Sequence, residues 1–246
     1  MYEFVGNEED VRKFYRLHMK EFNTTKHAAF IIIPIARRKY FPALSVSQFT
    51  INTRIFPCMD DEDRFLQDIQ KYEVREGLYH DRTEGKDVPI PRDGIAIYVT
   101  ANPMNEMDAF FMFQKQIMEN IKTMVSHNRN NTLDNQANFK MMSVYKSCLH
   151  KSPIDKFLKL DVDTKEEEKI VSLREFLRTS CIPIHMAIES RGGYHVVIYK
   201  SVIGVKHKNL YDFCTANKSW VSIEKSPLVV IPGTYQGGFL TKFGEW

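Results

Sequence analysis

The sequence lacks the features that mark several classes of protein. Its four cysteines are scattered without a CxxC pair, which argues against a zinc knuckle or a disulfide framework and favours reduced packing residues. No apolar run approaches the roughly 20 residues that span a bilayer. The first residues, MYEFVGNEED, lack the basic and apolar regions of a signal peptide. We therefore expect an intracellular protein, cytoplasmic or nuclear, with no membrane partner.

The chain also lacks a strong charge of either sign. It carries 34 Lys and Arg against 31 Asp and Glu, a net charge of +3, which permits a polyanionic partner without demanding one. With 246 residues, 43% of them hydrophobic, the chain can bury the core of one large domain or of two closely joined modules. The polar run HNRNNTLDNQAN predicts a loop over 128–138, between an N-terminal α/β module (1–127) and a second module (139–246).

The first module shows alternating helix and strand signals. Asn7 is placed to cap a helix, and a buried strand beginning at Ala28 contains Pro34, which suggests a sheet edge or an early end. Arg37, Arg38 and Lys39 follow beside two aromatic residues, a composition that suits phosphates and stacked bases and is equally common in a surface turn. The Met and Phe side chains of the helix predicted over 105–127 follow the helical period, so we expect them in the core.

The second module contains a strand, a helix and a hairpin. An apolar strand ends in Asp161-Val162-Asp163, and because strand side chains alternate, both carboxylates point the same way and form half a site for a hard cation. Thr164 and Glu167 are spaced as a capping box for a helix over 165–179. Strands over 182–189 and 194–200 follow, joined by Ser190-Arg191-Gly192-Gly193, whose glycines are expected to supply positive φ.

The last apolar strand, from Leu228, stops at Ile231-Pro232-Gly233-Thr234. This arrangement places a hydroxyl, the Gln236 amide and open backbone N–H groups at a strand end, where they can hold phosphate. A plain Pro-Gly turn explains the same residues.

These motifs together resemble the archaeo-eukaryotic primase superfamily, the primase-polymerase enzymes. The first family motif is Asp-x-Asp or Asp-x-Glu on a strand, here Asp161 and Asp163. The second is a Ser or small residue before a His on a hairpin, here Ser190 to His195, and plasmid and viral relatives carry a Pro-Gly-Thr turn like Pro232 to Thr234. IYVTANPMNEMDAF also resembles a strand and turn before the first motif. The resemblance covers roughly residue 28 onwards, and the joint order of the motifs carries it.

The resemblance implies an α/β (α+β) fold: a primase-like catalytic core with a mixed sheet like that of RNA-recognition motifs, and flanking helices. It implies a template-dependent nucleotidyltransferase, a DNA primase or primase-polymerase, that uses Mg²⁺ or Mn²⁺. Single-stranded DNA template and nucleoside triphosphates are the implied partners, with a replicative helicase or other replication protein beside them.

The resemblance also assigns roles to residues. It makes Asp161 and Asp163 the metal ligands, with Glu224 preferred over Asp212 as the third acid of the family. The nucleotide-binding candidates are Ser190, Arg191, Gly192, His195 and Thr234, and the candidates for contacting nucleic acid or phosphate are Arg37, Arg38 and Lys39.

Two alternatives stay open beside the primase hypothesis. The chain could be a catalytically inactive nucleic-acid-binding or replication-initiation module of the same fold, against which stands the presence of both aspartates and His195. It could also be an unrelated DxD metal-dependent transferase that uses nucleotides, such as a sugar transferase, which would not require the Ser-to-His hairpin.

Overall fold

The computed structural model describes residues 1–82, 87–129, 141–202, 207–224 and 227–246. Within these residues the fold is α+β, with two large antiparallel sheets, a separate two-stranded sheet (His80–Asp81 with Val88–Pro89) and flanking helices. The helices are α1 (Glu8–Phe14), α2 (Glu62–Gln70), α3 (Glu106–Arg129), α4 (Met141–His150), α5 (Glu167–Thr179) and α6 (His207–Ala216). The strands are β1 (Ala28–Arg37), β2 (Gln48–Thr50), β3 (Arg54–Pro57), β4 (His80–Asp81), β5 (Val88–Pro89), β6 (Ile95–Thr100), β7 (Met104–Asn105), β8 (Phe157–Val162), β9 (Ile184–Glu189), β10 (Tyr194–Tyr199), β11 (Val221–Glu224), β12 (Leu228–Val230), β13 (Tyr235–Gln236), β14 (Phe239–Leu240) and β15 (Lys242–Phe243).

One sheet, called the second sheet below, has the strand order β11-β8-β10-β9-β15. The run β8-α5-β9-β10-α6-β11 is a βαββαβ unit, and its strand order is that of the ferredoxin-like arrangement. Leu158, Leu160 and Val162 of β8 pack with the apolar stripes of α5 and α6. The prediction of a mixed sheet was wrong, because every strand pairing described in this sheet is antiparallel.

The other sheet, called the first sheet, follows the path β14-β13-β6-β1-β2, with β12 paired to β6 and with β3 and β7 paired to β1. The prediction that Pro34 marks an edge was wrong, since β1 has neighbours on both sides. The Pro34 carbonyl accepts a bond from the Ile51 N–H, in the interval between β2 and β3. The N and O atoms of a strand residue point to the same side of the strand. The side of Pro34 that lacks an N–H therefore faces the gap between β2 and β3, where no strand needs that donor.

The two sheets do not correspond to two continuous stretches of chain. Strands β12 to β14 return from the second half of the sequence to the first sheet, and β15 then pairs with β9 of the second. Phe157, Ile188 and Val197 of the second sheet belong to the same apolar core as β1 and β6. Of the predicted loop over 128–138, residues 128 and 129 end α3, and 130–138 lie outside the described residues.

Two of the predicted helix caps were confirmed and one was wrong. The Asn7 and Asp61 side chains cap α1 and α2, accepting bonds from the N–H groups of Asp10 and Arg64. The Thr164–Glu167 capping box was wrong: α5 begins at Glu167, and the Thr164 hydroxyl accepts a bond from the Glu166 N–H.

The apolar side chains of α3 correct another prediction. We expected them in the core, but several are exposed, among them Met107, Phe110, Phe111, Met118 and Ile121. Among the described residues, no helix combines the length and the apolarity needed to cross a membrane.

Candidate functional site

The candidate site lies on the face of the second sheet that is turned away from α5 and α6. Side chains alternate along β8, so Lys159 and Asp161 share this face with Phe157, whose ring packs in the core with the first sheet. The strand register places His195 of β10 opposite Asp161, and Glu224 of β11 opposite Lys159. The sequence pattern alone had placed the aspartates at a strand end, and the neighbouring strands now bring these other side chains beside them.

His195 contacts the first aspartate directly. The ring is 6% exposed, and its Nδ1 accepts a 3.1 Å bond from the Val230 N–H. The neutral ring therefore carries its proton on Nε2, which lies 3.3 Å from Asp161 Oδ1. Burial, followed by the nearby charges of Lys159, Arg37 and Lys39, lowers the pKa of His195 well below its usual value of 6.5. The neutral imidazole thus presents its Nε2–H to the Asp161 carboxylate.

Lys159 supplies a cation inside the site. Its Nζ lies 3.6 Å from Asp161 Oδ1 and 3.1 Å from Glu224 Oε2, and it donates a 2.9 Å bond to the Leu228 carbonyl. The side chain connects the two acidic residues across adjacent strands.

Two of the three predicted basic residues lie over tyrosine rings of the first sheet and the turn after β1. The Arg37 guanidinium lies over the Tyr98 ring, 5.1 Å from its centre, and Lys39 Nζ lies 5.2 Å from the centre of the Tyr40 ring. Partial burial and then Arg37 lower the pKa of Lys39, while Asp163 and Asp161 act in the opposite direction, so the ammonium lies within electrostatic reach of both carboxylates. This places cations opposite the acidic end of β8.

Arg38 points elsewhere. Its guanidinium donates to the carbonyls of Leu44 and Ser45. All three basic residues nevertheless line one open groove of about 480 Å³, together with Ser47 and Gln48. The groove provides a cationic surface that continues outward from the site.

The hairpin between β9 and β10 joins the site to the C-terminal strands. The Arg191 N–H donates to Gln236 Oε1 at 2.7 Å, and the Arg191 side chain donates to the Gly237 carbonyl at 2.9 Å. Gln236 Nε2 in turn donates to the Tyr98 hydroxyl at 3.1 Å. Arg191 also lies over the Tyr40 ring, 5.3 Å from its centre. One connected network thus fixes the hairpin against the first sheet.

The hairpin glycines act differently from the prediction. Neither Gly192 nor Gly193 has a positive φ. A Cβ on Gly193 would lie 1.8 Å from the Val162 carbonyl oxygen, whereas one on Gly192 would meet nothing within 4 Å. Gly193 is required because the hairpin passes close to the backbone just before Asp163. Ser190, 6% exposed, closes the turn through its N–H to the Gly193 carbonyl.

The remaining predicted residues lie apart from the aspartates. Thr234 is 1% exposed, and its hydroxyl donates to the Ile231 carbonyl within the same turn. The Gly233 carbonyl of this turn accepts bonds from the Gly6 and Asn7 N–H groups. Asp212 is on α6, which packs on the opposite face of the second sheet. The β11 residue opposite Asp161 is Ser222, and not an acid.

Among the described residues, the side chains of this site would give a divalent ion two carboxylate ligands, those of Asp161 and Asp163. In the part of the chain that the structure describes, no group of three or more His, Cys, Asp or Glu side chains is arranged to hold a metal. Asp163 is exposed at the end of β8 and, among the described residues, makes no ion pair. Asp161 and Asp163 therefore provide two carboxylates, and phosphate oxygens would have to supply further ligands.

Two residues of this site escaped the sequence analysis as site residues: Tyr98 and Lys159. Lys159 had a usable signal, because it precedes Asp161 by two residues and so shares its face of the strand. The Gln236 amide was predicted as a candidate phosphate contact, but it accepts a bond from the Arg191 N–H and donates one to the Tyr98 hydroxyl. Tyr98 lies in a strand more than 60 residues earlier, and nothing in its local sequence connects it to the hairpin.

Comparison with models of known protein families, with curated proteins and with solved structures found no match for this chain. Its function must therefore be argued from its own residues.

Proposed function

We propose that this chain is a template-dependent nucleotidyltransferase of the primase-polymerase type, which joins nucleotides by divalent-metal-assisted phosphoryl transfer. The observation that carries the proposal is the division of charge across the site. The carboxylates of Asp161 and Asp163 stand at the end of β8, and Lys39, in the turn after β1, interacts electrostatically with both, while Arg37, the last residue of β1, acts on His195 beside Asp161. This division suits a triphosphate, which needs cations on both sides of its phosphates.

Each residue has a role in this proposal. Asp161 and Asp163 would hold Mg²⁺ or Mn²⁺, and such an ion neutralises the charge that develops on the phosphates and the attacking hydroxyl. Arg37, Lys39 and Arg191 bind the triphosphate, with the Gly192 amide beside them. Neutral His195 orients Asp161 through Nε2–H and is itself nearly buried.

The substrates proposed are nucleoside triphosphates and a single-stranded DNA template. The groove lined by Arg37, Arg38 and Lys39, about 480 Å³ in volume, is open to solvent, and its cations suit the phosphates of a strand. A replicative helicase or other replication protein is the kind of partner that this activity would have.

A second candidate is a catalytically inactive nucleic-acid-binding module of the same fold. One observation favours it: within the described ranges the site has no third acid ready to join the metal, because Glu224 is paired with Lys159.

A primer-synthesis assay separates the two candidates. Labelled nucleotides, a homopolymer template and Mg²⁺ or Mn²⁺ are incubated with the wild type, with Asp163→Asn and with Glu175→Gln, which changes an exposed carboxylate on α5. We expect products from the wild type and Glu175→Gln and none from Asp163→Asn. A wild type that binds the template and makes no product with either metal would favour the binding module.

A further inference from the structure

Lys159 is a site residue to which the proposed function gives no role. Its side chain is nearly buried, with the residue 3% exposed. Three oxygen atoms surround its ammonium: Asp161 Oδ1 at 3.6 Å, Glu224 Oε2 at 3.1 Å and the Leu228 carbonyl at 2.9 Å. An ammonium has three N–H donors, and a buried one is costly unless it is paired and hydrogen-bonded. These three contacts therefore belong together.

The backbone register sets this pairing. Glu224 lies directly opposite Lys159 on adjacent antiparallel strands, and Asp161 is two residues further along on the same face. The ammonium therefore lies between Asp161 and Glu224 because of strand geometry, and not through a chance surface rotamer.

This placement limits where a divalent ion can bind. An ion bridging Asp161 and Glu224 would come close to the ammonium, and like charges repel strongly in a partly buried site. The opposite side of Asp161 leads to Asp163, which is exposed at the end of β8.

We propose that Lys159 is a fixed cation of the site, that Glu224 neutralises it and is not a metal ligand, and that one divalent ion binds Asp161 and Asp163. This inference rests on the proposed function, since it concerns the metal of the same site. It assigns Glu224 a positioning role in place of the metal-ligand role that the resemblance implied.

The test measures Mn²⁺ alone binding to the full chain, by electron paramagnetic resonance and water proton relaxation, and so needs no turnover. We expect one Mn²⁺ per wild-type chain. Glu224→Gln should keep that stoichiometry and weaken binding less than Asp163→Asn does, because it removes the counter-charge of Lys159 and not a ligand, while Asp163→Asn should weaken binding by about tenfold or more, a usual scale for losing a metal ligand or its support. Equal weakening by Glu224→Gln and Asp163→Asn would overturn the inference and leave the proposed function standing.

Lys159→Met supplies the opposite change. Without the ammonium, Asp161 and Glu224 face each other unpaired, so the variant should bind a second Mn²⁺ or bind the first about tenfold more tightly. Unchanged stoichiometry and affinity in a folded Lys159→Met would overturn the fixed-cation role. Lys159 is buried, so Lys159→Met could fail to fold. In that case the inference is decided by Glu224→Gln, because the Glu224 side chain is 38% exposed. A wild type that binds no Mn²⁺ would overturn both this inference and the proposed function.

Discussion

At the scale of single residues, Asp161 and Asp163 differ in what surrounds them. Asp163 is exposed, whereas Asp161 contacts His195 and Lys159. Asp163→Ala should therefore abolish nucleotide incorporation and change the free energy of unfolding by no more than about 0.5 kcal/mol, as surface substitutions do. Asp161→Asn should lower incorporation by about 100-fold or more, since a metal contributes several kcal/mol to such reactions, and it keeps an acceptor for His195.

Incorporation assays and urea unfolding of both variants check this prediction. Wild-type turnover in both variants would mean that the metal site is wrongly assigned.

The residues of the site that could be predicted are those with a local pattern. The pairing of Asp161 with Asp163 on one face followed from strand alternation, whereas His195 was selected by the resemblance to the second family motif. Lys159 was missed because its long stem sits within an apolar strand, so the run was taken as core. The position of Glu224 could not be predicted from a local pattern. The β11 residue opposite Asp161 is Ser222, and this depends on the strand register, since a shift of one residue would turn every β11 side chain to the other face of the sheet.

At the scale of elements, the β9–β10 hairpin offers a matched pair of glycines. Gly193→Ala would place a Cβ 1.8 Å from the Val162 carbonyl oxygen, while Gly192→Ala meets nothing within 4 Å. We expect Gly193→Ala to destabilise the fold by about 1–3 kcal/mol or more, the usual cost of overpacking. It should also reduce incorporation, because the shift occurs beside Asp163.

Gly192→Ala is the control and should stay near wild type in stability. Thermal unfolding of the two variants measures the difference. Equal stabilities would contradict the close approach of the hairpin to β8.

Helix α3 gives an element-scale prediction about exposure. Phe111 is 59% exposed, while Phe30 of β1 is fully buried. Phe111→Ala should cost no more than about 0.5 kcal/mol, and Phe30→Ala should cost about 3–5 kcal/mol. Urea unfolding of the two variants tests this prediction. A large fall in the free energy of unfolding for Phe111→Ala would mean that this side of α3 is buried.

The helix itself could be predicted, but its buried side could not. A helical period shows that apolar residues recur along α3, and it does not show which part of the surface another element covers. The position of Pro34 could not be predicted for the same reason. A proline fits inside the sheet there only because β2 and β3 leave a gap beside it, and the sequence around Pro34 does not show that gap.

At the scale of the whole molecule, buried histidines couple stability to pH. Burial, with His185 next, lowers the pKa of His18 to about 3, and burial also lowers the pKa values of His185 and His195. The unfolded chain therefore takes up protons first as the pH falls below about 6.5. Stability should be level above that pH and decline below it, by up to about 1.4 kcal/mol per pH unit for each such histidine.

Urea unfolding between pH 8 and pH 4.5 checks the slope. His18→Gln removes one of these groups and should make the decline shallower by about one proton. A stability that stays level down to pH 5 would contradict the buried, neutral histidines.

The pairing of distant strands is the part of the fold that local patterns did not contain. The first four elements of the βαββαβ unit, β8, α5, β9 and β10, followed from the order of their periodic segments and could be predicted nearly in place, whereas α6 and β11 were not predicted. The return of β12 to β6 joins segments more than 120 residues apart, and no local period signals it. This return brings Val230 to His195, and the next strand, β13, carries Gln236 to Tyr98.

The last prediction concerns how the two sheets divide nucleotide and strand binding. Arg37 and Lys39 lie near the aspartates, whereas Arg38 is bonded to the loop at Leu44 and Ser45. We therefore expect Arg37→Ala with Lys39→Ala to weaken nucleotide affinity by about tenfold or more, as lost charged hydrogen bonds do. His195→Ala should weaken nucleotide use in the same way and leave template affinity nearly unchanged.

Strand affinity across a salt series completes this test. If all three cations contacted the strand, adding Arg38→Ala to the double variant would make the salt dependence shallower by roughly two units in total, at about 0.7 per contact. Because two of them face the nucleotide, we expect a change of about 0.7 or less. If the salt dependence became shallower by two units and nucleotide affinity did not fall, Arg37, Arg38 and Lys39 would all contact the strand. If His195→Ala also cost strand affinity and neither variant affected the nucleotide, the binding module would replace the polymerase, because the site would then bind a strand and no substrate.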